Sequence, residues 1–486
     1  MTIRKPILSA IAAALKAAVL STAVLSTVGL AHAAGANDAA TLAQIRDAAM
    51  ASDWAYQRLE DMTDLVGPRL SGSPGAAAAV QQVADAMRKL GAKVTLQPVK
   101  VPHWVRGEEK AQLVEYTGRP QGVVQNIVLT ALGGSGATPA QGLTAPVIIV
   151  RDFDELQRRA AEVKGKIVLF EVAFDQGMAD AGLGGPAYRH GSAFRTRGPA
   201  LAAELGAAAA LVRAVGGADY RLTHTGTTRL VEGKSIPAAS VTAEDALLIA
   251  RLSKRGPVTM KLVLTPQTLP DADSYNVIAD LPGTDKADEV VIVSGHLDSW
   301  DLATGAHDDA TGVTASMGVL ETLKKLNLKP RRTIRMIAWM NEENGGRGGA
   351  TYHAQHKAAL DKQFAAIESD GGVAGRTFGV QAGIRPQYEK LFAPLQAALV
   401  PIGAGVLQRR DVIGAGDLHA MEADGVPSFT PLVDSSLYFN YHHTPADTFD
   451  KVDPDYLKRH VAVMSALTWY LANMEQPIGR APQQFN

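Results

Sequence analysis

Apolar positions recur along the chain in two rhythms, and the places where one gives way to the other divide it. From Thr41 to Leu65, and again from about Gly75 to Leu90, they return every three or four residues, the period of a helix with one buried face. Between them Gly67-Pro68-Arg69-Leu70-Ser71-Gly72-Ser73 is dense in turn residues and predicts a loop. In "KVTLQPVKV" the apolar Val94, Leu96, Val99 and Val101 predict a strand.

From about Trp104 to Pro270 the texture changes to short apolar runs joined by glycine-rich connections, such as "APVIIV", "KIVLFEV" and "VTMKLVL". One alanine-rich helix is expected there, about Pro199 to Leu211, so this stretch reads as a small β-rich domain. Its His190 and His224 sit in no pattern and read as hydrogen-bonding loop groups, outside any site.

From Ser274 onward strand and helix alternate: "SYNVIADLPG", "EVVIVSG", a helix from Asp309 to Leu326, "TIRMIAWM", a helix near Gly348 to His356, "AAIESD" and "PSFTPLVD". Further helices are expected at Pro386 to Leu399 and Asp455 to Met474. Strands written as unbroken apolar runs predict a mixed, mostly parallel sheet covered by helices on both faces. The expected α/β catalytic domain takes residues 34–104 and 271–486, with 105–270 inserted.

Composition narrows the functional classes. Lys plus Arg number 48 against 49 Asp plus Glu, so no long-range field recruits nucleic acid or an anionic membrane. At the amino terminus Arg4 and Lys5 precede an apolar segment, Ala17 to Leu30, and the A-x-A pattern Ala31-His32-Ala33. This is the pattern of a signal peptide over residues 1–33, predicting a periplasmic or secreted protein without a membrane anchor after cleavage. The chain has no cysteine, so disulfides cannot support it in an oxidising compartment.

The chemistry lies behind the late strands, where open α/β sheets collect their ligands. His296 and Asp298 follow "EVVIVSG", Glu342 and Glu343 follow "TIRMIAWMN", Asp370 ends "AAIESD", and His442-His443 follow the last strand. With Asp308 from "GAHDDATG", these groups are too many carboxylates to sit together without protons or cations. Imidazoles mixed with carboxylates and no thiol suit zinc, and the number of donors suits two ions sharing one carboxylate.

In this order "GHLDSWD", "GAHDDATG", "NEENGG", "ESDGG" and "HHTPADT" resemble the co-catalytic zinc exopeptidases, a family that includes secreted bacterial aminopeptidases and glutamate carboxypeptidases. The plasma glutamate carboxypeptidase group is the most similar, through "LVGPRLSGS", "LGGSGATPAQGLTAPV", "IPAASVTAEDA" and "DADSYNVIADLPG" as well, and the insertion resembles a protease-associated domain.

The resemblance implies two zinc ions, one held by His296 and Asp370, the other by Glu343 and His443, with Asp308 bridging. It implies Glu342 as general base, Asp298 as the carboxylate orienting His296, and a cis peptide at Asp308-Asp309, with Asp309 not a ligand. His442 would stabilise the oxyanion, and Asp417 and His419 in "GAGDLHAM" would face substrate, although a helix cap explains Asp417 equally well. Implied too are small peptide substrates, a homodimer, and dipeptidase or carboxypeptidase activity. An aminopeptidase or a silent receptor-like protein are the other readings.

Overall fold

The computed structural model describes residues 39–229, 235–414 and 416–482. The signal-peptide reading lies outside those residues, and none of the described helices is long and apolar enough to cross a membrane.

The larger core surrounds a sheet of β1 (Lys93–Val105), β2 (Gln267–Leu281), β3 (Lys286–His296), β4 (Arg332–Trp339), β5 (Gln363–Glu368), β6 (Thr377–Gly383), β7 (Val406–Arg410) and β8 (Ser428–Val433). Their order is β1-β2-β4-β3-β5-β8-β6-β7. The centre, β4-β3-β5-β8, is parallel. β1 and β2 add antiparallel strands on one side, and β6 runs against β8 on the other.

The two faces of β3 account for its unbroken apolar run. Val291 and Val293 pack with the helices Pro74–Lys89, Thr311–Lys325 and Pro454–Asn473, while Val290 and Ile292 pack with Ile337, Trp339, Tyr352 and Met421 on the other side. With both faces covered, the middle of the strand, Val290 to Val293, is apolar throughout.

Between β1 and β2 the chain builds a second eight-stranded sheet from residues 109–264. It is less purely β than its sequence suggests: the strands Leu143–Val150, Ile167–Phe170, Ala209–Arg213 and Ala238–Val241 are parallel neighbours, with helices at Phe153–Arg158, Gly184–Glu204 and Ala243–Ser253. The helix expected to begin at Pro199 begins at Gly184 and carries Pro199 inside it. Proline fits a first turn so well that it reads as a helix start, and here it is not one.

The two sheets are locked together. Leu70, Trp104 and Trp300 from the larger unit are buried in the core of the second. Gly133 makes room for the indole, since a Cβ there would lie 2.0 Å from Trp300 Cη2. Beside it Arg106 grips Asp301 with two parallel bonds, Nε to Oδ2 at 2.8 Å and Nη2 to Oδ1 at 2.5 Å.

Candidate metal centre

β3 ends at His296, and the chain leaves its carboxyl end into the loop that carries Asp298, Asp308 and Asp309. Glu342 and Glu343 follow β4, Asp370 follows β5, and His442-His443 follow the short helix Tyr438–Tyr441 after β8. The parallel centre therefore brings these groups to one edge, as the strand order requires.

Asp308 lies in the middle. Its Oδ1 is 3.1 Å from His296 Nε2, and its Oδ2 is 3.1 Å from His443 Nε2. His296 Nε2 is also 3.3 Å from Asp370 Oδ1, and His443 Nε2 is 2.9 Å from Glu343 Oε2. Two clusters result: Asp308, Glu343 and His443 form one, and His296 and Asp370 lie in the other, which geometry extends to Asp309. Asp308 touches both. The Asp308-Asp309 peptide is cis, as expected. Both Asp309 oxygens are already engaged, Oδ2 accepting from His296 N–H at 3.0 Å and Oδ1 from Gly312 N–H at 3.0 Å.

The donors fit metal ions. Asp308 Oδ2 and Glu343 Oε1 are buried and accept no hydrogen bond, which is costly for carboxylate oxygens lacking a cation. Beside them is a small cavity walled by Trp300, Gly305, Thr444 and Asp447, with room for about one water molecule. Without ions, protons take up the excess charge. Burial and the nearby Asp370 push the Glu342 carboxyl well above its ordinary range, and burial with Asp308 beside it raises Glu343 to about 7. Burial opposes charging His296, yet Asp370 and Asp308 hold it well above the usual imidazole value; His443 is raised likewise, against burial, by Glu343. Two ions shared by imidazole and carboxylate, the donor set of zinc, relieve the same crowding.

The surrounding residues hold the loops in place. Asp298 Oδ1 accepts the backbone N–H groups of Asn341 (2.7 Å) and Glu342 (3.0 Å), and Oδ2 accepts from Glu343 N–H and from the Ser71 hydroxyl at 3.0 Å. This corrects the expectation that its carboxylate orients His296. That carboxylate stands 3.9 Å away, and the Asp298 carbonyl takes the hydrogen bond from His296 Nδ1, at 3.0 Å. Arg69, fully buried, donates to the carbonyls of Leu297, Thr304 and Gly305. Asp447 accepts from His307 N–H (2.7 Å) and Asp308 N–H (3.1 Å), fixing Asp308 from behind.

Glu342 is half-buried, and Gly416 gives its side chain space, since a Cβ there would lie 2.6 Å from Glu342 Oε1. The neighbouring Asp417 is buried and accepts Gly349 N–H at 2.9 Å, so it caps the helix Arg347–His356; burial raises its carboxyl to about 7, and its Oδ2 has no partner. His419 does not join the site. It is exposed at the start of the helix His419–Ala423 and lines a shallow cleft with Val412, Glu422, Ala423 and Pro482, because the helix that begins there turns it outward.

His442 stacks on His443 with ring centroids 3.7 Å apart, its Nε2 3.4 Å from Asp308 Oδ2 and its Nδ1 3.3 Å from His224 Nε2. His224 thus reaches the centre from the second sheet, contrary to its reading as a loop histidine, and is 1% exposed. Arg195 and Thr225 reach it too, and Thr227 Oγ1 donates to the Glu343 carbonyl at 2.9 Å. No periodicity or motif in the sequence marked any of these.

Buried imidazoles and carboxylates gathered at the strand ends, in two clusters joined by one aspartate, define a two-metal hydrolase centre of the co-catalytic zinc type. A family model described as Peptidase family M28 matches residues 276–468. Carboxypeptidase Q of Homo sapiens is 35% identical over 435 residues, covering 89% of this chain and 88% of that protein. The crystal structure of a peptidase M28 precursor from Shewanella amazonensis SB2B matches with a TM-score of 0.86 at 36% identity, over 92% of this chain and 99% of that one. Aminopeptidase YwaD of Bacillus subtilis is 26% identical over 307 residues, 61% of this chain and 56% of that protein. The chain belongs to peptidase family M28.

Proposed function

We propose that the chain is an exported dizinc exopeptidase of small peptides, acting as a dipeptidase or carboxypeptidase and assembled as a homodimer. The observation that carries this reading is Asp308, with one carboxylate oxygen toward His296 and the other toward His443, beside the half-buried Glu342. The share of both chains covered by the likeness to carboxypeptidase Q favours a carboxypeptidase. Export rests on the N-terminal sequence. The homodimer and the protease-associated character of the second sheet rest on resemblance.

In this reading His296 and Asp370 would hold one zinc and Glu343 and His443 the other, with Asp308 shared between them and Asp309 occupied by backbone amides. When bound, the two ions supply the Lewis acidity that makes a water nucleophilic at neutral pH. Glu342 takes the proton of the attacking water and passes it to the leaving amine. Asp298 holds Glu342 in place through its backbone N–H. Trp300 and the buried Thr444 limit the water that enters.

One observation favours an aminopeptidase. Asp417 Oδ2 is buried without a partner on the Glu342 side of the centre, which suits a substrate ammonium group. Comparing free dipeptides, amino-blocked dipeptides and aminoacyl amides separates the two, since an aminopeptidase cleaves the amides and rejects blocked peptides. Glu342→Gln should retain about two zinc ions per chain while turnover falls at least about 100-fold. Wild-type protein that binds no zinc and cleaves none of these substrates would overturn the reading.

A further inference from the structure

Several contacts of the second sheet unit with the metal centre converge on one backbone atom. The Thr225 carbonyl oxygen faces three nitrogens: His224 Nδ1 at 2.9 Å, Arg195 Nη1 at 3.1 Å and His443 Nδ1 at 3.3 Å. Thr225 N–H in turn donates to the His443 carbonyl at 2.9 Å, so this short stretch of backbone grips His443 at both ends. Thr225 is fully buried, and Arg195 is held by the Tyr188 hydroxyl at 2.7 Å.

A carbonyl oxygen only accepts, so each nitrogen facing it carries the hydrogen. His443 therefore has a hydrogen on Nδ1, so Nε2, beside Asp308 and Glu343, is the nitrogen that would give its lone pair to an ion. His224 also has its hydrogen on Nδ1. A neutral imidazole carries one, so His224 Nε2 is an acceptor, and His442 Nδ1, 3.3 Å away, must donate to it. His224 is buried, and among the described residues no carboxylate is one of its hydrogen-bond partners. The last link follows: His442 Nε2 is a lone pair too, 3.4 Å from Asp308 Oδ2. Two acceptors facing each other at that distance repel unless a cation lies between them. A third metal among His224, His442 and His443 is a poorer account of the same cluster, because the Arg195 guanidinium stands 3.4 Å from His443 Nδ1.

We propose that Thr225, His224 and Arg195 are positioning residues for the second metal position. Through a fixed chain of hydrogen bonds they turn the Nε2 lone pairs of both His443 and His442 toward the ion. His442 is then a donor to the metal and has no N–H on that side for an oxyanion. This rests on the two-zinc reading, and it gives the insertion a place in the chemistry: the second ion depends on a unit that supplies none of its proposed carboxylate ligands.

The test is zinc affinity, measured by chelator competition on the full mature protein, for wild type, His224→Leu, Arg195→Leu and the exposed-site control His190→Ala. The first ion should bind all four alike. The second should bind about 10- to 100-fold more weakly in His224→Leu and Arg195→Leu, as for other lost partners of metal-bound histidines. His224→Gln, whose amide can both donate and accept, should recover much of the loss. Equal second-ion affinity in both leucine variants, with unchanged melting temperature, would overturn the proposal and leave the two-zinc reading intact. Fewer than two ions on wild type would overturn both. Nitrogen NMR of zinc-loaded wild type gives a check independent of variant folding: a hydrogen on His442 Nε2 refutes the chain of bonds.

Discussion

The two halves of the metal centre are built from different parts of the chain. On the first side, His296 is held by the Asp309 carboxylate and the Asp298 carbonyl, and Asp370 extends β5. Behind it Ser369 Oγ and Thr377 Oγ1 each lie 2.8 Å from a nitrogen of the buried His460. Every one of these groups belongs to the larger sheet unit. On the second side, Glu343 and His443 come from that unit, but Thr225, Thr227 and Arg195 of the other sheet hold them, His224 meets the neighbouring His442, and Trp300 is planted in the other core. One side is complete within its own sheet, whereas the other is finished by the insertion. The inserted unit thus contacts the second side directly.

Asp308 is the residue the two sides share, so it gives the largest effect. Asp308→Ala should lose both ions and reduce peptide hydrolysis at least about 1,000-fold, since it removes the carboxylate that faces both clusters. His296→Ala and His443→Ala should each lose one ion and retain the other. Metal analysis of the three variants decides whether the halves are separable. If His296→Ala empties both positions, the division is wrong.

Next in size is the joint itself. Trp300 is 4% exposed, edge-on to Trp104 with ring centroids 6.5 Å apart, and 5.9 Å from the His443 ring. Trp300→Ala should cost about 3–5 kcal/mol of stability, in the range for a large aromatic removed from a core. Denaturant unfolding reads the loss. The comparison predicts its site as well: the second ion should weaken and the first remain, measured by the same chelator titration.

The gathering of imidazoles and carboxylates at one edge was legible in the sequence because metal chemistry restricts residue type. Imidazoles and carboxylates gathered behind unbroken apolar strands serve few purposes besides holding a cation, and the strand-end rule places them on one edge before any coordinates are known. The supporting side was not legible. The Thr225 carbonyl acts through a backbone atom that every residue possesses, so nothing in the sequence marks it. His224 lies in a polar stretch without period, where a histidine looks ordinary until the chain folds back across the larger sheet. Asp298 shows the same limit at finer scale: it lies beside His296, but the atom facing His296 is its carbonyl, and its carboxylate is occupied by three backbone N–H groups after β4. His419 shows the reverse error, a residue type suited to a site on the outward side of a helix start.

The smallest predicted effect concerns the acid response of the first side. His460 is 1% exposed between Ser369 and Thr377, and burial pushes its imidazole down to about 4 from the usual 6.5. Because the folded value is the lower one, the unfolded chain binds the proton first as pH falls. Stability from the neutral ring is therefore complete above about pH 6.5 and drains away as pH falls toward about 4, where the folded form also protonates. At about 1.4 kcal/mol per unit the loss comes to about 3 kcal/mol. His460→Gln can still exchange hydrogen bonds with both hydroxyls and cannot titrate. Between pH 7 and pH 4 wild type should thus lose about 3 kcal/mol more than the variant in denaturant unfolding. Since the ligands' own protonation is common to both proteins, it drops out of the difference. Parallel curves would mean that the acid sensitivity of the fold lies elsewhere, and that Asp370 is not backed by a histidine that must stay neutral.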